Sequence, residues 1–587
     1  MYTPLLPLAL ASTLTLTLTS ALPTFRPPLP YSSEQCVLSL DPSTAPNGTR
    51  GAVASESKIC SQIGIDMISA GGTAADALVA TTLCVGVTGM YHSGIGGGGF
   101  MLVRDELGRY EVIDYRETAP SSAHQDMYKH DRNASVFGGL AVGVPGEIKG
   151  LGYVQEKYGR LGWKEVVMPA VGIAREGFTV GEDLVKYMKA ASANDDFLVR
   201  DPVWAQDFAP NGTLLGLGDR ITRKRLANTL EKIANEGPKA FYEGEIADSI
   251  IKTIQDSNGT LTHDDLRQYT VRTKQPLSID YRGFKLYTTD APSSGAVTLN
   301  ILKVMEQFPP EDLADKNLTA HRLTEAMKFA YGARQELGDP DFIRGLTPFQ
   351  KMMLSEEKAK QIRKMIMDNQ TQALEVYNPQ SVYAAESAGT SHLVASDGTG
   401  MTVTSTTTIN LLFGARIMTD TGIILNNEMD DFSQPGRPNS FGFEPSPNNF
   451  IAPHKRPLSS ITPLIVEHAN NGSLFFATGA AGGSRIISST MQVAFGIMSA
   501  IDQGHTAVGE MYEAIKAPRL HHQLMPNVLN VETGYDASVF AGLGSKQHNV
   551  SWVAPGQSSA QGLLRLYNGT FEAVGETRQL NSGGLTV

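Results

Sequence analysis

A glycine followed by a threonine opens the stretch that most constrains how this chain folds, residues 389–410. Two runs rich in β-forming residues flank the sequence DGTG at 397–400, which is typical of a tight turn. A hairpin closed at that turn pairs Thr390 with a residue within one position of Thr407. The pattern therefore predicts two adjacent antiparallel strands, with Thr390 near the open end of the hairpin.

The same junction carries a candidate chemistry. Threonine is a poor nucleophile unless it is an N-terminal residue, because its freed α-amine can then remove the hydroxyl proton. Gly389 has no Cβ, so the peptide before Thr390 can adopt a strained conformation, and the β-branch of Thr390 restricts its hydroxyl to few orientations. Self-cleavage between these two residues is one interpretation. An ordinary turn-to-strand junction is the other, since Gly-Thr dipeptides are common.

Further motifs follow one another from about residue 50 to the C-terminus. In chain order they are SGIGGGGF at 93–100, DYRE at 114–117, LGDPDF at 337–342, TSTTTIN at 404–410, LNNEMDDFS at 425–433, KRPLSS at 455–460 and AAGGSR at 480–485. Together with TSHL at 390–393, these motifs resemble the γ-glutamyltranspeptidase family. The resemblance implies an α+β fold, a four-layer αββα sandwich of the N-terminal nucleophile hydrolase type. Two chains of one precursor would form it jointly.

The resemblance also implies a division of the chain at Thr390. Residues 22–389 would form a large subunit and 390–587 a small catalytic subunit, which stay together as a heterodimer. Residues 1–21 are uncharged and mildly apolar, and they end in small residues as a secretory signal peptide does. An uncleaved membrane anchor is the alternative, although the threonines and prolines make a poor spanning helix.

Asn-x-Ser/Thr sequons support a secretory route, with the extracellular space or a vacuolar lumen as destination. The candidate glycosylation sites are Asn47, Asn133, Asn211, Asn258, Asn317, Asn369, Asn471, Asn549 and Asn568.

A γ-glutamyl compound presents a free α-carboxylate, a free α-amine and an amide two methylenes away. Arg116 can bind the carboxylate through two parallel hydrogen bonds, which a lysine cannot reproduce. Ser459 and Ser460 can add hydroxyl donors to that carboxylate. Glu428 and Asp431 supply anions for the ammonium group. The family pattern gives these residues the same roles, whereas an isolated charged residue is more often part of a surface ion pair.

Residues around the nucleophile complete the expected site. The α-amine of Thr390 would act as the base, and the hydroxyl of Thr408 and the amide of Asn410 would bond that amine or the substrate. The N–H groups of Gly482 and Gly483 would form an oxyanion hole. The implied reaction transfers the γ-glutamyl group of glutathione to water, or to an amino acid or dipeptide acceptor, through an ester on Thr390.

A segment rich in proline, glycine and asparagine between 433 and 455 would form a lid over this site. Phe441 stands where the family often has a tyrosine, so a gating hydroxyl is missing there. His392 is another candidate base, because it is two residues from Thr390 and a strand would put both on one face. The α-amine lies closer to the hydroxyl and is the preferred base.

Composition and other motifs exclude several classes of protein. A net charge of −11 over 587 residues argues against a nucleic-acid partner. The sequence GIGGGG at 94–99 fits a dinucleotide fingerprint, but a helix-like run precedes it and a strand follows it, the reverse of what that fingerprint needs. No cofactor is expected. No metal site is expected either, since 521–522 is an adjacent histidine pair and HExxH is absent.

Only three cysteines occur, too few for a disulfide scaffold. The family resemblance suggests that Cys36 pairs with Cys60, which would tie down the mature N-terminus. Cys84 lies in an apolar run and is expected to be a buried thiol.

Helices are predicted for 56–80, 184–193, 321–337, 354–369 and 486–503, with an exposed polar tail from 370 to the proposed cut. Two other functions stay open. A glutaryl-type β-lactam acylase would share the fold and the self-cleavage, although its substrate lacks the ammonium group that Glu428 and Asp431 would bind. The chain could also be an unprocessed, non-enzymatic secreted glycoprotein.

Overall fold

Two stacked antiparallel sheets form the centre of the molecule. The computed structural model describes residues 48–377, 389–436 and 445–587. The first sheet has seven strands, in the order β18 (Gly583–Thr586), β1 (Gly51–Ser55), β9 (Gly389–Asp397), β10 (Thr402–Asn410), β2 (Gly98–Arg104), β3 (Tyr110–Asp114) and β6 (Arg272–Lys274). The second has six, in the order β17 (Phe571–Val574), β16 (Ser559–Arg565), β12 (Leu474–Ala481), β11 (Leu464–His468), β8 (Phe284–Thr288) and β7 (Leu277–Tyr281).

Smaller sheets lie outside this centre. They consist of β13 (Leu520–His521), β14 (Leu529–Glu532) and β15 (Val550–Val553), and of β4 (Phe178–Thr179) with β5 (Arg220–Ile221).

Helices cover the outer face of each large sheet. The seven-stranded sheet shares an apolar core with α1 (Lys58–Ser69), α2 (Ala74–Thr88), α3 (Glu147–Tyr158), α4 (Trp163–Glu176), α5 (Glu182–Ala191), α6 (Phe197–Arg200), α7 (Pro202–Phe208), α8 (Lys224–Glu236), α9 (Lys239–Tyr242), α10 (Glu245–Asp256) and α11 (His263–Gln268). The six-stranded sheet shares another with α12 (Gly295–Met305), α13 (Lys316–Arg334), α14 (Leu346–Met353), α15 (Glu356–Met365), α16 (Arg485–Asp502), α17 (Glu510–Lys516) and α18 (Ala537–Ser545).

A third core fills the space between the two sheets. It contains Val394 of β9, Leu102 of β2, Ala477 of β12 and Leu563 of β16. Leu393 of β9 belongs instead to the core under the helices, because successive strand residues point to opposite faces. Helix, sheet, sheet and helix layers follow one another, so the predicted αββα sandwich is confirmed.

The predicted helix 56–80 is two helices. Gly71 has φ of +92°, which ends α1, and Thr73 begins α2 with a capping box. Its hydroxyl accepts from the N–H of Asp76, whose carboxylate accepts from the N–H of Thr73. The two helices pack side by side as a hairpin.

This hairpin corrects the expected disulfide. Cys60 of α1 bonds to Cys84 of α2, so Cys84 is not a free thiol and Cys60 is not available to Cys36. The Cα atoms of Cys60 and Cys84 are 5.3 Å apart, within the normal range. Cys36, the segment 1–21 and Asn47 lie outside the described residues.

The other predicted helices agree with α5, α13, α15 and α16 to within a few residues. The expected exposed tail is wrong at Thr371 and Tyr377, which bond to Glu325 of α13 and of which Tyr377 is buried. Residues 373, 375 and 376 are exposed as expected. Residues 378–388 of that tail, and residues 437–444 of the expected lid with Phe441, lie outside the described residues.

Seven of the eight described sequons expose their asparagine, and Asn317 is half-buried in α13. In the described part of the chain, no helix is long and apolar enough to cross a membrane.

The glycine-rich segment that leads from α2 into the start of β2 lets two backbones meet. An added Cβ on Gly97 would lie 2.0 Å from the carbonyl oxygen of Thr408, and one on Gly99 would lie 2.1 Å from that of Thr406. A helix precedes this segment and a strand follows it, as the sequence predicts, which is the reverse of the order that dinucleotide binding requires. The glycines instead allow backbone to pack against backbone.

We predict that Gly97→Ala destabilises the protein by about 2–3 kcal/mol, because the backbone of β10 must move to admit the methyl group. Gly172→Ala is the matched control. Gly172 lies on the exposed face of α4, where an added Cβ has no neighbour within 4 Å, and alanine should stabilise the helix by about 0.5–1 kcal/mol. Thermal and denaturant unfolding measure both changes, and equal effects of the two substitutions would contradict the close-packing argument.

Candidate active site

The hairpin of β9 and β10 places two threonines opposite each other. Thr390 pairs with Thr408, within the predicted tolerance of one residue. The hydroxyl of Thr408 donates to the carbonyl oxygen of Gly389. It also accepts from the backbone N–H of Asn410 at 2.7 Å. The carbonyl that precedes Thr390 is therefore polarised by a hydroxyl whose orientation is fixed by a second hydrogen bond.

Asn410 lies at an irregularity that ends β10. The strand register shifts between Thr408 and Asn410, and Asn410 has φ of +72°. Its side-chain nitrogen donates to the carbonyl of Asn427 at 2.9 Å. Its Oδ1 is buried and has no hydrogen-bond partner among the described residues. The amide oxygen is thus free to accept a hydrogen bond beside the start of β9.

His392 shares a strand face with Thr390 but is fully buried. Its Nδ1 lies 2.8 Å from the hydroxyl of Thr406, and the ring packs against Gly479 of β12. Burial lowers the pKa of His392 to about 3, so it is a weak base. His392 therefore fits a structural position between the sheets better than a catalytic one.

Thr390 and Gly482 line one cavity of about 350 Å3, together with Tyr187, Arg485 and Gln557. Gly482 and Gly483 join β12 to α16, and both have positive φ, 123° and 60°. The N-terminus of a helix presents unpaired N–H groups and the positive end of the helix dipole. This turn can therefore bind negative charge that develops next to Thr390.

Arg116 is the centre of a buried charge cluster. It follows β3, and its guanidinium donates to one oxygen of Glu428 and to one of Asp431. Both acids lie on a short 3-10 turn, Glu428–Asp431. Asn426 fixes this turn, because its Oδ1 accepts from the N–H of Glu428 at 3.0 Å and from that of Gly143 at 2.9 Å.

The cluster contains more carboxyl groups than guanidinium groups. Oε2 of Glu428 and Oδ1 of Asp431 are buried without a hydrogen-bond partner among the described residues. Burial raises the pKa of both carboxyl groups, and the guanidinium of Arg116 opposes that shift. Burial also raises the pKa of neighbouring Glu117 to about 8. The two unpaired oxygens form a site that is ready to accept a cation or an ammonium group.

A second arginine, Arg334 at the end of α13, positions the serine pair. It donates to the hydroxyl of Ser460 at 3.0 Å and to that of Ser294 at 2.9 Å. Ser294 in turn donates to the carbonyl of Ser459 at 2.6 Å. Arg334 also contributes to the electrostatic environment of Asp431. The serine pair and the Arg116 cluster are therefore neighbouring parts of one site.

Arg334 and Glu117 are two functional candidates that the sequence motifs did not single out. Glu117 lies inside the DYRE motif and could have been singled out as a second charge beside Arg116. Arg334 lies three residues before LGDPDF, and the five residues that precede it on the helix, 329–333, are uncharged. A charged residue in such a setting is the signal that could have identified it.

Ion pairs connect this site to the sheet. Asp114 at the end of β3 contacts Arg456 at 3.2 Å and Lys274 at 3.2 Å. Burial disfavours the charged form of Asp114, but these two cations outweigh it and hold its pKa below the usual value. Asp339 accepts from the N–H of Arg456 at 2.9 Å and pairs with Arg272 at 2.9 Å. The loop that carries the serine pair is thereby anchored.

Comparisons with known proteins agree with this geometry. The family model described as gamma-glutamyltranspeptidase matches residues 60–584. A glutathione hydrolase proenzyme of Arthroderma benhamiae is 48% identical over 559 residues, which cover 93% of this chain and 94% of that protein. A glutathione hydrolase of Aspergillus flavus is 47% identical, with 91% of this chain and 89% of that protein covered.

Solved structures show the same fold. A cephalosporin acylase from Bacillus halodurans superposes with a TM-score of 0.78 at 26% identity, covering 96% of this chain and 99% of that one. A γ-glutamyltranspeptidase chain from Helicobacter pylori covers 54% of this chain and 91% of its own length, with a TM-score of 0.51 and 31% identity.

The αββα sandwich, with a threonine at the start of a central strand, is the fold of the N-terminal nucleophile hydrolases. Within that class, this chain belongs to the γ-glutamyltranspeptidase family.

We predict that burial of neutral His392 makes the protein less stable at acidic pH than at neutral pH. A histidine with an ordinary pKa of about 6.5 in the unfolded chain takes up a proton below that pH, whereas folded His392 stays neutral down to about 3. Stability is therefore lost as the pH falls from 6.5 toward 3, by up to about 1.4 kcal/mol per pH unit. Glutamine does not titrate.

Thermal unfolding of the wild type and of His392→Gln at pH 7 and pH 4.5 tests this. The Tm of the wild type relative to that of His392→Gln should be lower at pH 4.5 than at pH 7. A difference in Tm that is the same at both pH values would be incompatible with a buried neutral histidine.

Proposed function

We propose that this chain cleaves itself between Gly389 and Thr390 and then acts as a glutathione hydrolase. The Thr390 hydroxyl would attack the carbonyl carbon of Gly389. A C–O bond forms, the C–N bond breaks, and the amine takes the hydroxyl proton. The hydrogen bond from Thr408 to that carbonyl supports this step, because it stabilises the oxyanion that develops there. Water then hydrolyses the ester and leaves a carboxylate on Gly389.

The products would be a chain of 22–389 and a chain of 390–587. The new α-ammonium group of Thr390 would start β9 beside Asn410. The unpartnered Oδ1 of Asn410 is the acceptor that supports this position. An α-amine has a pKa of about 7.7–8.0 in solution, so it can act as a base near neutral pH.

The substrate would bind at the Arg116 cluster. Its ammonium group would bind the free oxygens of Glu428 and Asp431. Its carboxylate would bind the guanidinium of Arg116 and the hydroxyls of Ser459 and Ser460. Arg116 and the two acids bind one another in the structure. A zwitterion can replace these contacts with equivalent ones, which offsets the cost of opening the cluster.

Catalysis would take two acyl transfers. The Thr390 hydroxyl, with its proton taken by the α-amine, attacks the γ-carbonyl carbon, and the N–H groups of Gly482 and Gly483 stabilise the oxyanion. The C–N bond breaks, and the protonated amine gives its proton to the leaving nitrogen of cysteinylglycine. Water or the amine of an amino acid or dipeptide then attacks the γ-glutamyl ester and regenerates Thr390.

The two unpaired carboxylate oxygens beside Arg116 are the observation that supports a γ-glutamyl donor most strongly. The glutaryl group on which a glutaryl-type β-lactam acylase would act has a carboxylate but no ammonium group. It would leave two buried acids without a counter-charge, which is costly. The likeness to a cephalosporin acylase therefore supports the common fold alone, and the site favours γ-glutamyl compounds.

The two products of cleavage would remain together as a heterodimer. The apolar N-terminal segment and the exposed sequons support passage through the secretory pathway to the extracellular space or a vacuolar lumen.

We predict that purified protein gives two bands on a denaturing gel and that the smaller band begins Thr390-Ser391-His392. Thr390→Ala should leave one intact chain, because no hydroxyl remains to attack Gly389. Thr399→Ala, in the turn of the same hairpin, is the matched control and should be cut normally. N-terminal sequencing of the smaller band identifies the cut. One intact band from the wild type would favour the unprocessed glycoprotein instead.

We predict that Arg116→Lys lowers kcat/KM for glutathione about 100-fold, since a lysine cannot form two parallel charged hydrogen bonds. The gel assay must first show that the variant is cleaved, so that loss of processing is separated from loss of binding. Arg109→Lys is the control, because the side chain of Arg109 is largely exposed and pairs with Asp105, away from the cluster. Release of glutamate is the readout. Wild-type activity in processed Arg116→Lys would exclude the carboxylate role.

A further inference from the structure

A second cluster of buried polar side chains lies away from the Arg116 cluster. His321, Glu325 and His548 each offer one atom that could bind a metal ion, and these atoms lie within 4.8 Å of one another. His321 and Glu325 are four residues apart on α13 and therefore lie on one face of that helix. His548 lies between α18 and β15.

The hydrogen bonds of His321 orient it as a ligand. Its Nε2 lies 2.7 Å from the carbonyl oxygen of Met367, which can only accept, so Nε2 carries the proton. Its Nδ1 lone pair then points to Nε2 of His548, 2.8 Å away. Metal-binding histidines commonly donate their other ring N–H to a backbone carbonyl in this way.

Glu325 is oriented by two further donors. The hydroxyl of Thr371 donates to its Oε1 at 2.6 Å, and that of Tyr377 donates to its Oε2 at 2.6 Å. All three candidate ligands are buried. The side chains are therefore held in place before any ion arrives.

We propose that His321, Glu325 and His548 bind one Zn2+ ion. Two imidazole nitrogens and one carboxylate oxygen suit zinc, and a water molecule would complete a four-coordinate site. Zn–N bonds of about 2.0–2.1 Å at a tetrahedral angle separate two nitrogens by about 3.3 Å. The ring of His548 must therefore move back by about half an ångström, and its proton must transfer from Nε2 to Nδ1 so that Nε2 can bind the ion as a neutral imidazole.

Lys328 opposes the ion. Its ammonium group lies 3.5 Å from Oε1 of Glu325 and bonds to the hydroxyls of Thr371 and Tyr377. The positive charge of this ammonium group repels a zinc ion bound to Glu325. Zinc affinity is thus set by a balance between three oriented ligands and one nearby ammonium group, and removal of that group should strengthen binding.

The position of the site in the chain gives it a function. His321 and Glu325 precede Thr390, and His548 follows it. If the cleavage proposed above takes place, the ion would connect the two products. Zinc binding itself does not depend on cleavage, so it should occur equally in the uncut Thr390→Ala protein.

Calorimetric titration of EDTA-treated, dialysed protein with ZnCl2 tests the proposal. One equivalent should bind, and saturating zinc should raise Tm by at least about 2 °C, because an ion that binds only the folded state stabilises it. His548→Gln and Glu325→Gln should each lose at least tenfold in affinity. His505→Gln replaces an exposed histidine outside the cluster and should bind like the wild type.

Lys328→Met should bind zinc at least tenfold more tightly than the wild type. Titration with Co2+ gives an independent readout on the wild type alone, since a four-coordinate Co2+ site absorbs in the visible range. If the wild type binds no more zinc than His548→Gln, and neither its Tm nor the Co2+ spectrum changes, the proposal is overturned and the cluster is a hydrogen-bonded network only.

Discussion

Close contact between β10 and the glycines at the start of β2 is the constraint on which the rest of the site depends. Gly97 and Gly99 have room for no side chain, because the carbonyl oxygens of Thr408 and Thr406 occupy that space. With β2 on one side and β9 on the other, β10 is held from both edges. The hydroxyl of Thr408 is thereby fixed against the carbonyl of Gly389. A methyl group two strands away from Thr390 would disturb that alignment.

Buried charge is the second organising feature, and it reduces stability. Glu117, Glu428 and Asp431 are taken out of water with Arg116 as their shared counter-charge, and burial raises the pKa of each acid. Such an arrangement is costly for a fold and typical of a binding site. The salt bridges of Asp114, which connect the loop of the serine pair to β3, hold the site together at its base.

Local patterns predicted much of this from sequence. The DGTG turn predicted the register of β9 and β10 to within one residue, whereas the four layers followed from the family resemblance. The disulfide failed because Cys36 to Cys60 and Cys60 to Cys84 are both separated by 24 residues, so spacing cannot distinguish them. Arg334 was missed although uncharged residues precede it on α13, because the sequence does not show which face of that helix is buried. The break at Gly71 was missed because the apolar spacing continues across it.

The topology explains how a cut chain would stay assembled. In the seven-stranded sheet, β18, β9 and β10 follow the proposed cut, whereas β1, β2, β3 and β6 precede it. In the six-stranded sheet, β7 and β8 precede the proposed cut and the other four strands follow it, and the two groups meet where β8 pairs with β11. Separation of the two products would break three strand pairings in the first sheet and one in the second, and would expose the core between them. Since Gly389 is the first residue of β9, the cut itself removes only the end of one pairing. A nucleophile can thus be freed at the centre of the fold with little loss of structure.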